Sequence, residues 1–223
     1  MKDIFEFWAE MPLDSYIHPE DQQVFDRFET SSKKHQFELK CLPGAYCGPL
    51  KDAKVVLLFL SPGLDEQDIE HAKSAKARKF YAAQRTGTAS LPAAGEHDSA
   101  RDWLTGVIKQ FGISYEEARE SRALATLNIG AYKSKTFPDW HMLAALPSSR
   151  RTLDWAQSAL FPEAEKGERI VVCLRSADYW GLGTGEPIGT LFRPTCNRNA
   201  RMIHGEGRKQ IEKVVQLTVR EQL

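Results

Sequence analysis

Three short stretches of the chain carry side chains able to recognise or cleave an organic ligand, and each follows an apolar run. Ser61-Pro62-Gly63-Leu64-Asp65-Glu66 comes after Lys54–Leu60 and supplies a hydroxyl, a rigid turn and two carboxylates. Asn128 closes the run that begins at Ala123, and His204-Gly205-Glu206-Gly207-Arg208 follows Ala200–Ile203. If the runs are parallel strands, these stretches would bring an amide, an imidazole, carboxylates and small backbone-exposing residues to one edge of a sheet. The carboxamide supplies both a donor and an acceptor. Each stretch also has a plainer reading. Pro62-Gly63 makes a turn whatever its surroundings, Asn128 would cap a neighbouring backbone group, and acidic residues favour helix starts for structural reasons.

These residues need elements that bring them to one place. Lys54–Leu60, Ala123–Asn128 and Arg169–Leu174 are apolar runs that suit strands buried on both faces, and the shorter Ala200–Ile203 is a fourth candidate. Between them lie helical patterns. Asp65–Gln84 is rich in Ala, Lys and Glu, and Ser99–Phe111 puts Trp103, Val107, Ile108 and Phe111 on one face. Ser149 is the expected cap of a helix carrying Leu153, Ala156 and Leu160, and a last helix opens at Gly205 or Gly207 with Ile211, Val214, Val215 and Thr218 recurring. Alternation of this kind predicts a three-layer α/β/α domain around a mainly parallel four-stranded sheet. Ligands of such sheets bind where the strands end at their carboxyl side, which is where the three stretches fall. Residues 1–40 read as a helical N-terminal extension of a single domain covering 1–223. The polar run Gln84–Asp98, with Gly87, Pro92 and Gly95, reads as a surface loop, either a plain connection or a lid.

Composition narrows the classes. In 223 residues, 30 Lys and Arg balance 30 Asp and Glu, and 42% of the chain is hydrophobic, which excludes a disordered chain and a uniformly basic nucleic-acid coat. The charge is unevenly placed. Up to Thr30 eight acidic residues stand against two basic ones, whereas Arg193–Lys213 holds six basic against two acidic. Phosphate contacts need a local stripe of that sort rather than a basic whole. No stretch approaches a membrane span or a secretory leader, so a cytoplasmic protein, without membrane partners, is expected. Cys41, Cys47, Cys173 and Cys196 read as free thiols, and no Cys-x-x-Cys pair points to a metal or cluster. No cofactor is expected.

In their order along the chain, Leu60-Ser61-Pro62-Gly63, Asn128 and His204-Gly205-Glu206-Gly207-Arg208 resemble the motifs of the uracil-DNA glycosylase superfamily, and Pro43–Leu50 resembles the segment before its first motif in distant bacterial members. The resemblance spans roughly residues 40–220 in element order and is carried by about a dozen positions. It implies a monomeric DNA base glycosylase that flips a uracil-type or modified pyrimidine into a pocket and hydrolyses its N-glycosidic bond. Ser61, Pro62, Gly63 and Asn128 would hold the base, with Phe80 or Tyr81, and after them Tyr46 or Tyr132, as the stacking ring. His204 would stabilise the departing base, and Gly205, Gly207 and Arg208 would contact the DNA backbone. Leu60 and Ser61 stand where family members carry a water-activating carboxylate or amide, so Asp65 or Glu66 would have to supply that group. Two other readings follow from the same residues. One is a catalytically inactive base-binding or nucleic-acid-binding member. The other is an unrelated α/β nucleotide hydrolase or transferase, for which the chain has no Walker loop, no dinucleotide fingerprint after a strand and no nucleophile elbow.

Overall fold

The computed structural model describes residues 3–29, 35–137, 140–183 and 186–223. Two helices, α1 (Ile4–Ala9) and α2 (Pro19–Glu29), lead to the short strand β1 (Tyr46–Cys47) and then to β2 (Val55–Phe59). Next come α3 (Asp68–Lys73), α4 (Ala75–Gln84), α5 (Asp98–Ile108) and α6 (Tyr115–Glu120), followed by β3 (Leu124–Asn128). The chain continues through α7 (Trp140–Ala145), α8 (Pro147–Trp155) and α9 (Phe161–Glu165) to β4 (Ile170–Cys173), β5 (Leu191–Phe192) and α10 (Glu206–Arg220).

The α/β class holds, but the sheet differs from the expected four-stranded, mainly parallel one. It is a five-stranded mixed sheet in the order β1-β3-β2-β4-β5. β1 runs antiparallel to β3, while β2 pairs in parallel with β3 and β4, and β4 with β5. The candidate strand Ala200–Ile203 is reduced to an isolated bridge between Met202 and Cys196. Arg201 is half-buried and Ile203 exposed, so the segment is not covered on both faces, and the sheet edge goes instead to Leu191 and Phe192, both buried.

Every residue of β2, β3 and β4 is buried, and successive side chains enter opposite layers. Val56, Leu58, Ala125, Leu127 and Val171 pack with Ile4, Phe7 and Trp8 of α1 and with the α8–α9 segment. Val55, Leu57, Leu124, Ile170 and Val172 pack with Leu104, Val107 and Ile108 of α5 and with Ile211, Val215 and Val219 of α10. The N-terminal helix is therefore built into the main core. Among the described residues no helix is long and apolar enough to cross a membrane.

Local chemistry moved several helix boundaries. The Asp65–Gln84 pattern breaks at Ser74, which is extended (φ −75°, ψ 141°) and accepts the Ala77 N–H at 3.0 Å, so one expected helix becomes α3 and α4. Ser149 is not a cap. Pro147 starts α8 with its preset φ, and the open Ser148 N–H is taken at 3.0 Å by Asp21 Oδ1, from α2. In α10 the buried face is completed by Val219, and Thr218 is only half-buried.

One glycine is demanded by close approach. Gly48, directly after β1, has φ +92°, and a Cβ there would stand 2.7 Å from the Leu124 carbonyl oxygen. Gly48→Ala is expected to lower the unfolding free energy by at least about 2 kcal/mol, combining the left-handed penalty with displacement of β3. Urea denaturation checks this, and a loss under about 0.5 kcal/mol would contradict it.

Candidate functional site

Phe59 and Asn128 are paired partners at the carboxyl ends of β2 and β3. The loops that leave them continue side by side, and a parallel bridge joins Gly63 to Ser134. Between these loops, α4 and the start of α5 lies a cavity of about 300 Å³. That volume is at the small end of the roughly 300–1,000 Å³ range of ligand pockets. Its walls are largely apolar and aromatic: Tyr46, Phe59, Phe80, Tyr81 and Trp103 all face it.

Of the residues expected from the sequence, Ser61, Pro62, Gly63, Asp65, Phe80 and Asn128 line this one cavity. Asn128 is buried, and its Nδ2 donates to the Gly44 carbonyl at 3.0 Å, while its backbone N–H donates to the Ala45 carbonyl at 2.7 Å. Because a carbonyl only accepts, the contact with Gly44 fixes which end of the amide is nitrogen. Among the described residues neither the Oδ1 nor the second N–H has a further hydrogen-bond partner, and Asn128 lines the cavity. Asp65 is also anchored, its Oδ1 accepting the Gln67 N–H at 3.0 Å.

Other expected residues are placed elsewhere. Glu66 is exposed and outside the cavity wall. His204 is exposed, outside the wall, and its Nδ1 lies 3.2 Å from Arg208 Nη1. Gly205 and Gly207 are exposed at the start of α10, and Arg208 is half-buried with its guanidinium donating to the Met202 carbonyl at 3.4 Å. The displacement follows from the sheet: its last strand ends at Phe192, so Arg193-Pro194-Thr195, rather than His204, stands directly past it. Tyr132 is fully buried away from the cavity, its hydroxyl donating to Asp21 Oδ2 at 2.6 Å.

Asp68, His97 and Lys133 are polar wall residues that the sequence motifs do not single out. Asp68, in the first turn of α3, is only 3% exposed and accepts from Lys133 Nζ at 2.7 Å and from the Asp65 N–H at 2.7 Å. This buried pair ties the loop after β2 to the loop after β3. His97 begins α5 from within the presumed surface loop, and its Nε2 lies 2.9 Å from the Tyr81 hydroxyl and 3.7 Å from Asp68 Oδ1. Trp103, expected to be buried with Val107 and Ile108, is half exposed at the rim, 5.0 Å from the Phe59 ring. Lys133 had a visible signal: it is a cation on the segment that leaves the second apolar run just past Asn128. Asp68 and His97 had none, because solvated helix starts and polar loops contain the same residue types.

The site's ionisation states follow from burial. His97 is pushed down to about 4, first by burial and then by the charge of Lys133 and by His71, so the ring is neutral near pH 7. Burial pushes the Cys47 thiol, also in the wall, up to about 12, which leaves it protonated and a poor nucleophile. All four cysteines are free thiols, and among the described residues no group of three or more His, Cys, Asp or Glu is placed to hold a metal ion.

A pH dependence follows from His97. Its folded pKa lies below the ordinary 6.5, so the unfolded chain binds more protons between about pH 6.5 and 4. The stability contributed by the neutral ring is complete above pH 6.5 and is lost as pH falls toward 4, by up to about 3 kcal/mol. Lowered pKa values at His18 and His71 act in the same direction, while the raised carboxyl of Asp21 opposes them. Urea denaturation at pH 7 and pH 4.5 should therefore show a shallower acid loss in His97→Gln than in the wild type. Equal acid losses would refute the assignment.

No family model, no curated protein and no solved structure matches the chain.

Proposed function

We propose that the cavity receives a nucleobase, and that the protein is a DNA base glycosylase acting on a uracil-type or modified pyrimidine. The observation that carries this reading is the meeting of Asn128, the Ser61-Pro62-Gly63 turn and Asp65 around one small aromatic cavity at the carboxyl end of β2 and β3. The oriented amide of Asn128 matches an N–H/C=O ring edge, and Phe59, Phe80 or Trp103 offers a flat surface for the ring. Of the two carboxylates that line the cavity, Asp68 is paired with Lys133, so Asp65 takes the role of water orientation that Leu60 and Ser61 cannot fill. The basic run from Arg193 to Lys213 fits contact with a phosphate backbone.

A second reading is favoured by a specific placement. With His204 outside the cavity wall, the donor for the departing base that the resemblance implied is absent from the wall, as a base-binding protein without cleavage would allow. The two readings part in one experiment. Single-stranded and duplex oligonucleotides carrying uracil or modified pyrimidines are incubated with the protein and probed for abasic sites. Base release that falls at least about 100-fold in Asp65→Asn supports the glycosylase. Salt-dependent binding without release supports the second reading, and neither binding nor release refutes both. In the same assay His204→Ala decides the standing of His204: a loss of similar size restores it to the mechanism, and an unchanged rate removes it.

A further inference from the structure

The direction of hydrogen bonding at His97 fixes what Tyr81 can offer a ligand. His97 Nδ1 accepts the Ala100 N–H at 3.4 Å at the start of α5, with Ser99 Oγ 3.3 Å away. A backbone N–H only donates, so Nδ1 carries no proton and the neutral ring holds its single proton on Nε2. That Nε2–H points to the Tyr81 hydroxyl oxygen at 2.9 Å. Tyr81 therefore cannot donate back to His97. Among the described residues no hydrogen bond joins the Tyr81 hydroxyl to nearby Asp68, whose oxygens accept from Lys133 Nζ and from the Asp65 N–H, each at 2.7 Å. The proton of the Tyr81 hydroxyl is left for the cavity that Tyr81 lines. The Tyr81 ring edge adjoins Gly44, at 3.5 Å from where a Cβ would stand, and the Gly44 carbonyl is the anchor of Asn128. Both groups thus belong to one wall.

We propose that Tyr81, held by His97, is a one-way hydrogen-bond donor into the cavity, and that it selects rings placing a second carbonyl oxygen against it, beyond the edge met by Asn128. The inference rests on the nucleobase reading of the cavity and names the ligand chemistry within it. A ring with two carbonyls satisfies both groups. A ring with an amino group at the second position sets donor against donor and leaves the Tyr81 hydroxyl proton without an acceptor. Such a donor also strengthens its bond as negative charge grows on the oxygen of a departing base.

The test compares uracil with the pyrimidinone that keeps its N–H/C=O edge and lacks its second carbonyl, titrated calorimetrically into wild type and Tyr81→Phe. The substitution should weaken uracil about tenfold and leave the pyrimidinone within about twofold. Equal weakening of the two ligands, or of neither, overturns the proposal. Nitrogen NMR of the wild-type protein gives an independent readout, with the His97 proton expected on Nε2. A proton on Nδ1 would overturn the role of Tyr81 while leaving the nucleobase reading intact. Absence of binding by either ring to the wild type would overturn both the reading and this ligand assignment.

Discussion

Lys133→Met is expected to lower the unfolding free energy by about 3–5 kcal/mol at neutral pH, because it strands the Asp68 carboxylate in the protein interior. The pair is 2.7 Å apart, and its side chains are only 8% and 2% exposed. Removing the cation leaves an acidic group with one backbone donor and no counter-charge. Asp68→Asn with Lys133→Met, which removes both charges, should recover much of the loss. Urea denaturation of the three proteins at pH 7 measures this. A single-variant loss below about 1 kcal/mol, or no recovery in the double variant, would show that the pair is not desolvated as described.

The same pair accounts for what sequence alone left hidden. Runs such as Val55–Phe59 and Ile170–Cys173 declare themselves because a strand covered on both faces must be apolar throughout. Asn128 stands out because a polar residue terminates such a run. Two-residue strands carry no comparable signal: Tyr46–Cys47 and Leu191–Phe192 are too short for any periodicity, and they settle which strand is antiparallel and where the sheet ends. The placement of His204 outside the cavity wall has this origin. Once the last strand is placed at Leu191–Phe192, the segment around His204 no longer leaves the sheet but runs against α5, where the Arg201 guanidinium donates to the Gly106 carbonyl. Asp68 and Lys133, 65 positions apart, become a pair only when the two loops are laid side by side. Patterning locates the strand ends, and tertiary contact decides which charges meet there.

Asn128 separates a functional role from a structural one by the sizes of two effects. In the fold its side chain contributes one described hydrogen bond, to the Gly44 carbonyl at 3.0 Å, so Asn128→Ala should cost about 1 kcal/mol of stability. Toward a ligand it contributes an oriented acceptor and donor in a wall that is otherwise largely apolar, where no water replaces them once the ring is seated. Removal of one such preorganised group at other reaction centres costs about 100-fold or more. On the nucleobase reading, Asn128→Ala is therefore expected to weaken uracil binding by about tenfold or more, and to reduce base release, where it occurs, by about 100-fold, while the protein stays folded. Calorimetric titration alongside urea denaturation reads both numbers on one sample. A stability loss with unchanged binding would make Asn128 a strand-end anchor for the Gly44 loop and nothing more. The reverse pattern, weak destabilisation with lost binding, is what a base-reading amide requires, because only the ligand uses the half of the amide that the fold leaves open.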